Sequence, residues 1–167
     1  MSDNNDLTDK ASQAVVEALM ASYSRGDFTD AIHRHLHEDC RYTLYMDGNA
    51  APIGGTTTGR SAILAVLFRY REIFDYILFR TRTLSARDGI VRQHLEIILR
   101  HRISNERYEG SARFVWAVRD GLIVSCDEYH DAPRFETFFR LHGGGVASGN
   151  PAVAIDPTTT DRRKTGD

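Results

Sequence analysis

The sequence predicts an α+β domain, with helices gathered on one face of a curved antiparallel sheet to form a cone open at one end. Three observations carry that reading. Apolar residues recur at helical spacing early in the chain and again over residues 60–75. From residue 77 the period changes to that of strands. Four such runs are divided by "RDG" at 87–89, "SNE" at 104–106 and "RDG" at 119–121, all hairpin signals. Helical spacing then returns after Asp131.

Each element has its own justification. Thr8 caps a helix from Asp9 to Arg25, where Ala11, Val15, Ala18, Leu19 and Ser22 share a face and Gly26 ends it. Asp27 or Thr29 caps a short second helix carrying Phe28, Ile32 and Leu36. "CRYTLYM", Cys40 to Met46, reads as a strand from its β-branched and aromatic residues. The long loop "DGNAAPIGGTTTG" follows. A third helix then runs from Arg60 to Asp75, turning Ile63, Val66, Leu67, Tyr70 and Phe74 inward. The meander strands are 77–87, 90–102, 107–118 and 121–129, and a last helix runs from Asp131 or Ala132 to Leu141.

The whole chain narrows the function. Its 167 residues suit one domain that buries roughly two-thirds of its unfolded surface. Lys and Arg (21) do not outnumber Asp and Glu (23), so the basic footprint of a nucleic-acid binder is missing. No apolar run is long enough to span a membrane, and the polar start "MSDNNDLTDK" has no signal-peptide character. The expectation is a cytoplasmic protein with no membrane partner. Cys40 and Cys126 are too few for a disulfide framework and read as small buried residues. Residues 1–6 and 143–167 are poor in large apolar groups, which predicts a disordered N-terminus and a flexible tail around a domain at 7–142. His33 and His37 fall one helical turn apart in "HRHLHED". Zinc wants three or four converging ligands, so a solvated helix face is expected, with no metal.

The stretches "YSRGDFTDAI", "HEDCRYTLY", the "GR" opening the third helix and "VRDGLIVSCDEYHD" resemble the SnoaL-like branch of the nuclear-transport-factor-2-like superfamily. That superfamily also holds ketosteroid isomerases, polyketide cyclases and limonene-epoxide hydrolases. The resemblance spans residues 10–141 and implies the cone fold. Function does not follow from it, because the fold hosts enzymes and non-enzymes alike.

Strand parity sorts the candidate site residues. In the last strand Val124, Cys126, Glu128 and His130 share one face, against Ile123, Ser125, Asp127 and Tyr129. The resemblance favours the first set for the cavity, because the family's cavity-facing acid matches Glu128; Asp131 then caps the last helix. In "VRQHLEIIL" Arg92, His94, Glu96 and Ile98 share a face, against Val91, Gln93, Leu95 and Ile97. The Arg-x-Asp of epoxide hydrolases matches His94-x-Glu96 here, which departs from it in both residue types. The three catalytic positions of steroid isomerases fall on Leu19, Leu44 and Phe114, none of which is ionisable, so that activity is not implied.

Glu128, His94 and Glu96 are therefore the expected catalytic residues. Two carboxylates and an imidazole in an apolar cone shift one another's proton affinity and can divide into an acid and a base. Tyr42, Leu44, Met46, Phe114 and Trp116 are the expected hydrophobic wall, with Arg92, Cys126 and His130 also touching substrate. Such an enzyme would isomerise, cyclise or hydrolyse a small apolar ring without a cofactor. The competing reading is a non-catalytic ligand-binding or dimerisation module. If the parity is inverted, His94, Glu96 and Glu128 face solvent or a partner instead. Aliphatic residues on the remaining face, Leu95, Ile97 and Ile123, predict a homodimer through the outer side of the sheet.

Overall fold

The computed structural model of the chain describes residues 2–46 and 54–142. The elements run α1 (Ser2–Arg25), α2 (Phe28–His35), β1 (Leu36–Tyr45), β2 (Gly55–Thr58), α3 (Arg60–Ile73), β3 (Phe74–Arg87), β4 (Ile90–His101), β5 (Arg107–Arg119), β6 (Leu122–His130) and α4 (Ala132–His142). Six strands form one mixed, unclosed sheet in the order β2-β1-β6-β5-β4-β3, and β1 runs parallel to β6 while every other pair is antiparallel. Helices cover one face of it, so the expected α+β architecture holds.

Two turns of identical sequence set the meander. Arg87 pairs with Ile90 and Arg119 with Leu122, leaving Asp88–Gly89 and Asp120–Gly121 as two-residue loops. All four central residues have positive φ, 53° and 74° in the first turn and 49° and 76° in the second. That is type I′ geometry, whose twist matches that of the flanking strands. The two glycines differ in one respect. A Cβ on Gly89 would lie 2.6 Å from the Val118 carbonyl oxygen, whereas nothing stands within 4 Å of one on Gly121. Gly121→Ala should therefore cost only the left-handed penalty, about 1–2 kcal/mol. Gly89→Ala should cost measurably more, because the Val118 N–H also donates to the Gly89 carbonyl at 2.8 Å and resists displacement. Equal urea midpoints for the two variants would contradict this.

Several boundaries move. Helix α1 begins at Ser2 rather than Asp9, inside the stretch expected to be disordered. Helix α2 stops at His35 because Leu36 is already extended (φ −92°, ψ 138°), and β1 starts there. His37 is consequently on a strand, and the helical pairing of His33 with His37 does not exist. The long loop contributes β2, which pairs with β1 through Thr43 and Thr56, whose hydroxyls are 3.1 Å apart. The expected flexible tail at 143–167 and the loop centre at 47–53 lie outside the described residues.

Bulges decide which side chains face the helices. One residue is extra at Ile77 and one at Leu84 in β3, and another at Val124 in β6. Each reverses the alternation beyond it. Tyr76 and Phe79 therefore both point inward from β3, as do Ile123 and Cys126 from β6. In β4, which has no bulge, Val91, Gln93, Leu95, Ile97 and Leu99 are buried. Arg92, His94 and Glu96 are on the outer face. Burying four aliphatic side chains gains about 1.5–3 kcal/mol each, whereas burying Arg92 and Glu96 would strip two charges of water. Leu95, Ile97 and Ile123, the expected footing of a homodimer, are core residues at 1%, 5% and 0% exposure. The outer face of the meander instead carries exposed Arg80, Arg82, Arg92 and Arg113.

Candidate functional site

Glu128 sits on β6 between Leu44 of β1 and Phe114 of β5, so the sheet directs its side chain inward among apolar neighbours. Its carboxylate, 12% exposed, has both oxygens engaged. Tyr42 donates its hydroxyl to Oε2, and Oε1 lies 2.6 Å from His130 Nε2. The register makes both contacts natural: Tyr42 is two residues before Leu44 on the neighbouring parallel strand, and His130 is two residues beyond Glu128 on the same face. A carboxylate can only accept, so the imidazole presents Nε2–H to it.

His130 is held from two sides. Its side chain is 4% exposed, and its ring stacks on Phe135 of α4 at 5.0 Å and 16°. The other ring nitrogen, Nδ1, is buried and has no hydrogen-bond partner among the described residues. With Nε2 protonated, Nδ1 keeps a basic lone pair. An imidazole oriented by a carboxylate through one nitrogen and unpartnered at the other is an arrangement suited to proton transfer.

Around this pair lies a cavity with about 820 Å³ of empty volume, its open mouth included. All four helices and strands β1, β3, β4, β5 and β6 line it, mostly with aliphatic and aromatic groups. Four tyrosines bring hydroxyls to its wall. Tyr42 and Tyr70 hydroxyls are 3.5 Å apart, and those of Tyr23 and Tyr76 are 2.8 Å apart. Burial, and then the Glu128 charge, push the Tyr42 and Tyr70 hydroxyls well above the ordinary phenol range. Tyr23 is pushed up to about 12, again chiefly by burial. These phenols therefore remain donors at any physiological pH. Burial also raises the thiols of Cys126 and Cys40, the latter to about 12, so neither is a nucleophile.

The expected site residues divide cleanly. Glu128, His130, Tyr42, Leu44, Phe114, Trp116 and Cys126 line the cavity. Met46 packs against the core without joining the lining. Arg92, His94 and Glu96 are on the far side of the sheet. There Glu96 accepts from Arg80 Nε at 3.0 Å, and His94 stands between Arg82 and Arg113 in the ladder. Nearby arginine hydrogen bonds and charge hold the Glu96 carboxyl below its usual range. His94 and Glu96 thus cannot meet Glu128, contrary to the sequence expectation. The partner that Glu128 does have was visible as Glu128-x-His130, an i, i+2 pair on one strand face. Tyr23 and Tyr76 were not legible: the first lies outside the predicted helix face, and the second turns inward only through the Ile77 bulge.

A family model described as the SnoaL-like domain matches residues 16–126. Glu128 and His130 lie just past that match, and their pairing is a feature of this chain's own geometry. Among solved structures, a nuclear-transport-factor-2-like protein of Burkholderia xenovorans is 21% identical, with a TM-score of 0.66 over 77% of this chain and 95% of its own. A Mesorhizobium loti protein, provisionally named a SnoaL-like polyketide cyclase, is 14% identical, with a TM-score of 0.60 over 72% and 96%. TerC, co-crystallised with polyporic acid, is 15% identical, with a TM-score of 0.63 over 78% and 98%. At these identities the likeness is one of fold. No relative is found among curated protein sequences. The family match covers well over half of the chain and agrees with the unclosed sheet and its helical cover, and the chain belongs to the SnoaL-like domain family.

Proposed function

We propose that this protein binds a small, largely apolar cyclic carbonyl compound and moves a proton on it, with Glu128 and His130 as the acid–base pair. One observation carries the reading: a fully engaged carboxylate orients an imidazole whose other nitrogen is unpartnered, at the wall of an apolar cavity. His130 Nδ1 takes a proton from carbon beside the carbonyl. The C–H pair becomes a C=C bond, and the carbonyl π pair moves to oxygen. The imidazolium so formed is stabilised by Glu128. It then returns the proton to another carbon in an isomerisation, or to an alkoxide after ring closure. Neither step calls for an organic cofactor. The Mesorhizobium loti neighbour's provisional cyclase name, and the ligand bound by TerC, support the choice of a small-molecule cavity chemistry.

The test uses the chain's single tryptophan, Trp116, which lines the cavity. Cyclic ketones and 1,3-diketones are screened by Trp116 fluorescence. Compounds that bind are then followed by NMR for exchange of the α-proton in D2O. The expected result is exchange faster than in buffer alone for at least one bound compound. Binding with no catalysed exchange across the panel would leave a ligand-binding module and end the enzymatic reading.

A further inference from the structure

Gln93 is fully buried on the inward face of β4, between the aliphatic Val91 and Leu95. An amide is costly to bury unless it is hydrogen-bonded, and this one is bonded at both ends. Trp116 Nε1 lies 3.2 Å from Gln93 Oε1, and Gln93 Nε2 lies 3.3 Å from Thr83 Oγ1 of β3. The Thr83 hydroxyl is in turn 2.8 Å from Glu17 Oε1 on α1. The direction of each bond is forced. An indole N–H can only donate, so the amide turns its oxygen to Trp116 and its N–H to Thr83. Thr83 Oγ1 accepts there, which leaves its own hydrogen for the Glu17 carboxylate. Glu17 is braced by Gln13, one helical turn earlier, at 2.8 Å. The chain of bonds thus runs one way, from the cavity wall to a charge on a helix, and its links polarise one another.

Trp116 lines the cavity, yet its one polar group is spent on Gln93, which is not part of the lining. Its cross-strand neighbours are Val91, a hydrocarbon, and Cys126, a weak donor. Phe114 extends the same wall, its ring 5.3 Å from that of Trp116 and tilted by 33°. Glu128 stands across from Phe114, and the Trp116–Cys126 pair is two residues further along the ladder, about 7 Å away. The cavity therefore has a polar region at Glu128 and His130 and an apolar one at Trp116. We propose that Gln93 is a specificity-determining positioning residue. By holding the indole N–H it keeps the Trp116 end apolar, and so excludes ligands that carry a hydroxyl or amine remote from their carbonyl. This rests on the cavity being the ligand site of the proposed function, but not on the proton transfer. A ligand hydroxyl placed there loses its hydration and gains no partner. Pockets that merely lack a partner for a hydroxyl reject it by up to about a hundredfold.

The probes are 2-tetralone and 6-hydroxy-2-tetralone, which differ by one hydroxyl at the end of the bicycle opposite the ketone. Dissociation constants come from calorimetry, so that no reading depends on Trp116 itself. The wild type should prefer 2-tetralone by about tenfold or more. Gln93→Met keeps the shape of the side chain and removes the acceptor. The indole N–H then gains by turning to the cavity, where the ligand hydroxyl accepts it, and the preference should fall to about threefold or less. Thr83→Val unties the amide without touching Trp116 and should give a ratio between these two. It decides alone should Gln93→Met fail to fold. A purely structural role for Gln93 would weaken both ketones alike and leave their ratio as it was. Equal affinities in the wild type, or an unchanged ratio in the variants, would overturn the proposal. No binding of either ketone would overturn the cavity reading along with it. Exchange of the α-protons in D2O is a separate measurement on the same complexes. Selectivity without exchange would end the proton-transfer reading and leave the role of Gln93 standing.

Discussion

Glu128→Gln is expected to lower proton transfer by about 10²–10⁴-fold, the usual contribution of a general acid–base group, while the protein still folds and still binds ligand. The amide keeps the shape of the side chain and can accept from Tyr42. It cannot carry the negative charge that steadies an imidazolium at His130. His130→Phe should produce a loss of the same order, since it removes the base and leaves the stack on Phe135. The double variant should be little worse than either single one, because two groups acting as a unit are not additive. His94→Ala and Glu96→Gln serve as controls, and neither should alter turnover, because both side chains stand on the opposite face of the sheet. Loss of activity in these controls but not in Glu128→Gln would reverse the assignment.

Phe135→Ala is expected to destabilise the protein by about 3–5 kcal/mol, the range for deleting a buried phenylalanine. Phe135 is 3% exposed and lies where α4 meets the sheet, packing on Tyr108 at 4.6 Å and Phe139 at 5.2 Å as well as on His130. Its removal leaves a void that the rigid strand beneath cannot fill. Because the imidazole loses the ring that fixes its plane, activity should fall further than the folded fraction does. Urea unfolding measures the first effect and turnover per folded molecule the second. A stability loss below about 1 kcal/mol would mean that α4 docks without this anchor, well outside the usual core range.

The element order, the α+β class and the hairpin turns were legible because each depends on neighbours in sequence. Asp-Gly pairs adopt positive φ wherever they fall between strands, and helical spacing of apolar residues is a local pattern. Glu128 was legible too, as an acid that strand parity puts on the same face as Cys126 and His130. The early start of β1 at Leu36 was not, since Leu36 fits the apolar face of α2 as well as it fits a strand, and only pairing with Ile123 of β6 settles it.

What the sequence determined by itself is therefore the run of elements other than β2, and Glu128 as the candidate acid on β6. The tertiary structure decided which faces point inward. Parity can be counted along a strand only while the ladder is regular, and the extra residues at Ile77, Leu84 and Val124 exist because a curved sheet must take up a length difference between neighbouring strands. Those bulges let Tyr76 and Phe79 both reach the cavity from β3, and let Ile123 and Cys126 both be buried in β6. In β4 the competition between an aliphatic face and a charged one was settled by desolvation, which sent His94 and Glu96 outward. The convergence of Tyr23, Tyr42, Tyr70 and Tyr76 from α1, β1, α3 and β3 is a product of packing alone, since no local pattern relates residues so far apart in the chain.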